Sequence, residues 1–157
     1  MNSKFIANLS GNTAIITGGA GLIGRTYTSA LLQAGSYVII LDKKFNKKNI
    51  IELLKKENQN TPVNFNNLML IECDITNPKN VNQVFKKLKS YLKNLKILVN
   101  NASLVKQVKN PSQLVSAYKP FLKMIPPDWE EYLSVDITGS LLVTQQVIPY
   151  MKKNKGG

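Results

Sequence analysis

Three glycines, Gly19, Gly21 and Gly24, stand at the spacing Gly-x-Gly-x-x-Gly within TAIITGGAGLIG, residues 13–24. Glycines so placed can do chemistry without side chains. After a buried strand, a tight glycine turn that runs into a helix exposes backbone N–H groups at the positive end of the helix dipole, which is a site for an anion such as a pyrophosphate. Successive glycines then permit the turn, the close approach of the phosphate and the packing of helix on strand. A second chemical residue, Asp42, closes the apolar run YVIILD at 37–42. A carboxylate at that strand end can accept both hydroxyls of a ribose and repels a 2'-phosphate, so the expected cofactor is NAD, with NADP disfavoured although Lys43 and Lys44 adjoin.

These residues require particular elements to hold them. TAIIT at 13–17 is a short β-branched run suited to a fully buried strand. Leu22, Ile23, Thr26, Tyr27, Ala30 and Leu31 then recur at helical spacing, and Ala34-Gly35 supplies a stop. Residues 37–42 form a second buried strand, and 46–57 a helix with Ile50, Ile51, Leu53 and Leu54 inward. LMLIECD at 68–74 is a third strand. Thr76 or Asn77 can cap the next helix, with Pro78 in its first turn. That helix places Val81, Val84, Phe85, Leu88 and Leu92 on one face and Lys86, Lys87 and Lys89 on the other. A fourth strand runs from Ile97 to about Asn100. Residues 103–126 form a long connection with helical patterning around Leu114 to Leu122, and a final long helix opens at Pro126 and ends near Lys153. The alternation demands parallel strands joined by helical crossovers. The fold class is thus α/β, a Rossmann-type doubly wound sheet of strand order 3-2-1-4, in a single domain spanning 1–157.

Four marks, each following its strand, resemble the short-chain dehydrogenase/reductase family: TGGAGLIG at 17–24, the Asp42 strand end, CDIT at 73–76 and LVNNAS at 98–103. The resemblance implies that Thr17, Gly18, Gly19, Gly21, Leu22, Ile23 and Gly24 hold the cofactor. It implies further that Asp74 meets the adenine amino group with Ile75 flanking the ring, and that Asn100, Asn101 and Ala102 line the cofactor's central strand. Two departures stand out. Leu22 makes the glycine pattern TGxxGxxG, as in the extended members that include sugar-nucleotide epimerases, whereas DWEEYLSVDITGSLLVTQQVIPYM resembles the short branch over many more positions. The VDITG segment is also similar to oxidoreductases linked to surface-sugar biosynthesis, which puts a sugar among the candidate substrates. The second departure is Asp136, at the place of the family's catalytic asparagine; a carboxylate there lacks the amide's donor.

The family's chemistry uses a tyrosine whose pKa is lowered by a lysine four residues later, together with a serine. Here Leu31, Leu41, Leu95, Leu122, Asp136 and Asn154 follow the six tyrosines at that interval, so none has the lysine. The expectation is therefore the cofactor-binding portion of an NAD-dependent oxidoreductase that interconverts an alcohol and a carbonyl, inactive by itself and ending before the Ser/Tyr/Lys residues. The alternatives are an extended-branch epimerase or dehydratase and a non-catalytic nucleotide-binding module.

Composition narrows the other classes. The chain has 157 residues, 43% of them apolar, enough for one ordinary core. It contains no histidine and one cysteine, Cys73, which argues against a cysteine-based metal cluster and for a reducing, cytoplasmic setting. The formal charge of +12 invites nucleic acid as a partner. Against that, Arg25 is the sole arginine and the lysines are scattered, as on solvated helix faces. The longest apolar run, YVIIL at 37–41, is too short to span a membrane. The expected partners are a small-molecule alcohol or carbonyl and, at full length, further copies of the chain meeting through the final helix.

Overall fold

The computed structural model describes residues 7–61, 63–104 and 118–157. Four strands, β1 (Thr13–Thr17), β2 (Tyr37–Asp42), β3 (Leu68–Glu72) and β4 (Leu95–Val99), form one sheet in the order β3-β2-β1-β4. All the pairings are parallel; Ile15 lies opposite Ile39 on one side and Leu98 on the other. The sheet is therefore Rossmann-like, with the expected strand order.

The helices α1 (Leu22–Gln33), α2 (Lys47–Glu57) and α3 (Pro78–Leu88) follow β1, β2 and β3 in turn. Strand side chains alternate between two faces. Ile16 and Val38 pack with Leu32 of α1, and Ile40 with Ile50 and Leu54 of α2. The opposite face gathers Ile15, Ile39 and Leu41 with Val81, Val84, Phe85 and Leu88 of α3. Helices thus cover both faces, which is why β1 and β2 read as continuous apolar runs. Asn77 caps α3, its side chain accepting from the N–H groups of Lys79 and Asn80, with Pro78 in the first turn.

The helix expected from Leu22 onward forms, but of the residues at helical spacing Leu22, Ile23 and Tyr27 are exposed, and its buried residues are Gly24, Thr28, Ser29 and Leu32. Small side chains let this helix lie close to the strands, while Leu22 and Ile23 stand at its mouth. The final helix is not uniform either: α4 (Pro126–Leu133) passes through a π-helical turn, Ser134–Gly139, into α5 (Ser140–Lys153). Val143 and Val147 of α5 are fully buried beside α3. Of the expected patterning at 114–122, residues through 117 lie outside the described residues; beyond them comes a 3-10 turn, Phe121–Lys123.

Candidate functional site

The carboxyl ends of the strands open on a cleft of about 770 Å³, within the size range of small-molecule sites. Its floor is the glycine turn. Gly18 has φ of +64°, the left-handed region that favours glycine, and a Cβ there would stand 2.8 Å from the Cα of Ala102. Gly24 brings α1 against the turn, where a Cβ would reach within 2.2 Å of the Gly18 carbonyl oxygen. A Cβ on Gly19 would meet the Ile40 side chain at 2.8 Å. Gly21 differs: a Cβ would touch only the Gly18 oxygen at 3.3 Å, so its outer side is open to the cleft. Gly21 is also the N-cap of α1, which has no side-chain cap and no acid in its first turn. Its leading N–H groups are thus available to an anion.

Hydrogen bonds brace the turn from behind. The Ala20 N–H donates to Asp42 Oδ2 at 3.0 Å, and the Ala20 carbonyl accepts from Arg25 Nη1 at 3.1 Å. Arg25 Nε in turn donates to Glu57 Oε1 at 2.9 Å, so the end of α2 steadies the glycine turn. Asp42 Oδ1 accepts the Lys43 N–H at 2.8 Å. Burial raises the Asp42 pKa above the usual carboxylate value, while the N–H bonds from Ala20, Lys43 and Lys44 oppose that rise.

At the neighbouring strand end, Asp74 Oδ1 accepts from the Thr76 N–H at 3.0 Å and the Thr76 hydroxyl at 2.7 Å. Its Oδ2 pairs with Lys43 Nζ at 2.8 Å. Burial, the largest single influence, acts to raise the Asp74 pKa, but the Lys43 ammonium and the Thr76 donors together bring it below the ordinary value. Cys73 lies beneath, buried, its thiol pushed up to about 11 by burial and by the Asp74 charge. Ile75, also buried, packs against Gly139, where a Cβ would stand 2.7 Å from the Ile75 side chain.

β4 is tied to β1 at the same level. The Thr17 hydroxyl accepts from the N–H groups of Asn101 (3.0 Å) and Ala102 (3.1 Å), and Asn101 Nδ2 donates to the carbonyls of Thr17 and Gly18. Ser103 Oγ donates to Asp136 Oδ2 at 3.1 Å, and the Leu104 N–H to Asp136 Oδ1 at 3.3 Å. The π-helical turn therefore holds the chain leaving β4. Such turns recur at functional sites.

Of the residues singled out from sequence, Gly18, Gly21, Leu22, Ile23, Gly24, Asp42, Asp74, Ile75, Asn101 and Ala102 line this one cleft. Thr17 and Gly19 sit behind it as framework. Asn100 turns its amide to Thr144 Oγ1, and Asp136 reaches the cleft only through Ser103 and Leu104. Thr76, expected as a helix cap, lines the cleft beside Asp74, and sequence reasoning did not single out Glu131, Ser134 and Val135, which line the far wall. The last three lie three and four residues apart on one helical face, a spacing that could have marked them. Among the described residues, no group of three or more His, Cys, Asp or Glu could hold a metal, and no helix is long and apolar enough to cross a membrane.

The family model for short chain dehydrogenase matches residues 12–157. A short chain dehydrogenase/reductase of Gibberella zeae is 31% identical over 146 residues, covering 93% of this chain and 48% of the relative. A short chain dehydrogenase from Leptospira borgpetersenii, solved with bound NAD+, superposes with a TM-score of 0.68 at 25% identity, over 94% of this chain and 49% of that one. A metagenomic short-chain oxidoreductase in complex with NADP gives a TM-score of 0.72 at 19% identity, covering 96% of this chain and 61% of that one. The chain spans about half the length of the curated relatives it matches.

Proposed function

This chain belongs to the short-chain dehydrogenase family, and from that premise we propose that it is the cofactor-binding domain of an NAD-linked oxidoreductase that interconverts an alcohol and a carbonyl. The nicotinamide, when bound, supplies the hydride chemistry. The chain's own residues bind and orient. Backbone N–H groups of Leu22, Ile23 and Gly24 face the pyrophosphate, Asp42 receives the adenosine ribose hydroxyls, and Asp74 and Ile75 bound the adenine; the Gly21 N–H closes the turn on the Gly18 carbonyl at 3.1 Å. Asn101 and Ala102 guide the cofactor along β4.

The observation that carries this reading is Asp42. Its carboxylate stands at the carboxyl end of β2 and bonds the N–H of Ala20 inside the glycine turn, so the ribose and phosphate contacts are built as one unit. Asp136 is read as a positioning residue, since both its oxygens are engaged by Ser103 and Leu104. No tyrosine here has a lysine four residues on, so these residues are read as binding the cofactor without completing proton transfer. Trp129, Leu133, Ile137 and Leu141, exposed along the final helix, support the expectation of self-association.

Fluorescence titration of NADH and NADPH against the wild-type chain and Asp42→Ala tests the proposal. The wild type is expected to favour NADH by about tenfold, on the order expected for a carboxylate facing a phosphate, and the variant to lose that preference. An Asp42→Ala chain that keeps the wild-type ratio would overturn the ribose assignment.

A further inference from the structure

The two lysines after Asp42 pose a problem for a site that should exclude a 2'-phosphate: a cation beside the ribose would attract it. Lys43 is the nearer in sequence, and its ammonium is accounted for. Nζ lies 2.8 Å from Asp74 Oδ2, across the gap between the ends of β2 and β3. Asp74 is fixed by other bonds. Its Oδ1 takes the Thr76 hydroxyl and N–H, and its own N–H donates to Asn80 Oδ1 at 2.7 Å. The lysine stem, by contrast, lies in solvent, with 76% of the side chain exposed, and the bond to Asp74 tethers its tip. Asp42, Lys43 and Asp74 all line the same cleft.

We infer that Asp74 acts as a specificity residue by withholding Lys43: the anchored carboxylate occupies the ammonium that would otherwise pair with a 2'-phosphate on the adenosine ribose. Discrimination against NADPH then has two parts, repulsion by Asp42 and removal of the neighbouring cation by Asp74. This rests on the reading that the ribose lies at Asp42. It goes further in giving Asp74 a role in cofactor choice separate from any contact with adenine, which the two dinucleotides share.

That shared adenine makes the ratio of affinities the quantity to measure. NADH and NADPH are titrated by fluorescence against the wild type, Lys43→Met, Asp74→Asn and the double variant, at low and high salt. Asp74→Asn is expected to weaken both dinucleotides through the adenine end yet shift their ratio toward NADPH by about fivefold at low salt, the upper range for an exposed ion pair. The shift should shrink at high salt as the charges are screened. Lys43→Met alone should leave the ratio within about twofold of wild type, because the withheld lysine contributes little. The double variant should return to that ratio.

A shift of equal size in Asp74→Asn and in the double variant would assign the effect to the Asp74 charge alone and overturn the inference. So would an unchanged ratio in Asp74→Asn. Lys43→Met changes an exposed side chain and serves even if Asp74→Asn does not fold: a fivefold loss of NADPH affinity on that substitution would mean that Lys43 was never withheld. The parent reading fails separately, through an Asp42→Ala chain that keeps the NADH preference. Should the wild type bind neither dinucleotide, both readings fall.

Discussion

The two sides of the cleft are held in place by different parts of the chain. Within the glycine turn itself main chain packs on main chain, Gly24 facing the Gly18 carbonyl and the Gly19 Cα, and the side chains that brace it, Asp42 and Arg25, bond its backbone N–H and carbonyl groups. On the far side, main chain meets side chain. Gly139 of the π-helical turn lies on Ile75, and Asp136 receives the hydroxyl of Ser103 as well as the Leu104 N–H. A main-chain contact has no rotamer with which to yield, whereas a side chain can shift or be cut back. The first side should therefore behave as a rigid unit, and the second as an adjustable one.

Substituting the two glycines gives the sharpest contrast. In Gly24→Ala the new methyl would lie 2.2 Å from the Gly18 oxygen and 2.6 Å from the Gly19 Cα, and neither atom can leave without dismantling the turn. We expect a loss of about 3 kcal/mol or more, at the upper end for overpacking, together with loss of dinucleotide binding. Urea unfolding followed by far-UV circular dichroism measures the first and fluorescence titration the second. A variant of wild-type stability that still binds would show that the turn has slack which the geometry denies.

Gly139→Ala is expected to cost less, about 1 kcal/mol, because the strain of meeting Ile75 is partly offset by the better helix propensity of alanine. The cost should also be removable. In an Ile75→Ala background the two atoms at 2.7 Å are gone and only the Cβ remains, at 3.4 Å, an ordinary contact, so Gly139→Ala should become neutral or stabilising. Urea midpoints for the four chains of this double-mutant cycle give the coupling directly. If the penalty persists without the Ile75 side chain, the far side is as rigid as the near one and the contrast fails.

The same contrast explains how much the sequence disclosed. The glycine turn, the strand order and the buried face of α3 were legible because their signals are local: β-branched runs, glycine spacing, and apolar residues three and four apart. Asp42 was legible because it ends a strand. What escaped depends on contacts distant in sequence. Gly139 looks like a weak point in a helix until it is seen to touch Ile75, 64 residues earlier. The apolar residues of α1 suggest a buried face, yet close approach to the sheet selects Gly24, Thr28 and Ser29 instead. The pairing of Lys43 with Asp74 exists only because β2 and β3 are neighbours.

The smallest expected effect is one of sign, and it sets Asp42 against Asp74 within the near rim of the cleft. Burial raises the folded pKa of Asp42 above the ordinary 3.8. The folded chain then holds this proton more tightly than the unfolded one, so the group's penalty is complete above its folded pKa and is relieved as pH falls through that value toward 3.8. For Asp74, although burial acts to raise the pKa, the Lys43 ammonium and the Thr76 donors leave it below 3.8. Its stabilising contribution is complete above 3.8 and is lost as pH falls through the lower, folded value. Removing each titration should therefore bend the acid limb of stability in opposite directions. Relative to wild type, Asp42→Asn should lose more stability on acidification and Asp74→Asn less, read as urea midpoints from about pH 6 to about pH 3, the range in which carboxylates titrate. Because Asp42 is held by fixed N–H groups and Asp74 partly by a solvent-borne ammonium, added salt should diminish the Asp74 difference and leave the Asp42 difference largely unchanged. Midpoints that move in the same direction for both variants would mean that the two carboxylates share one environment, and that the distinction between main-chain and side-chain support does not extend to the rim.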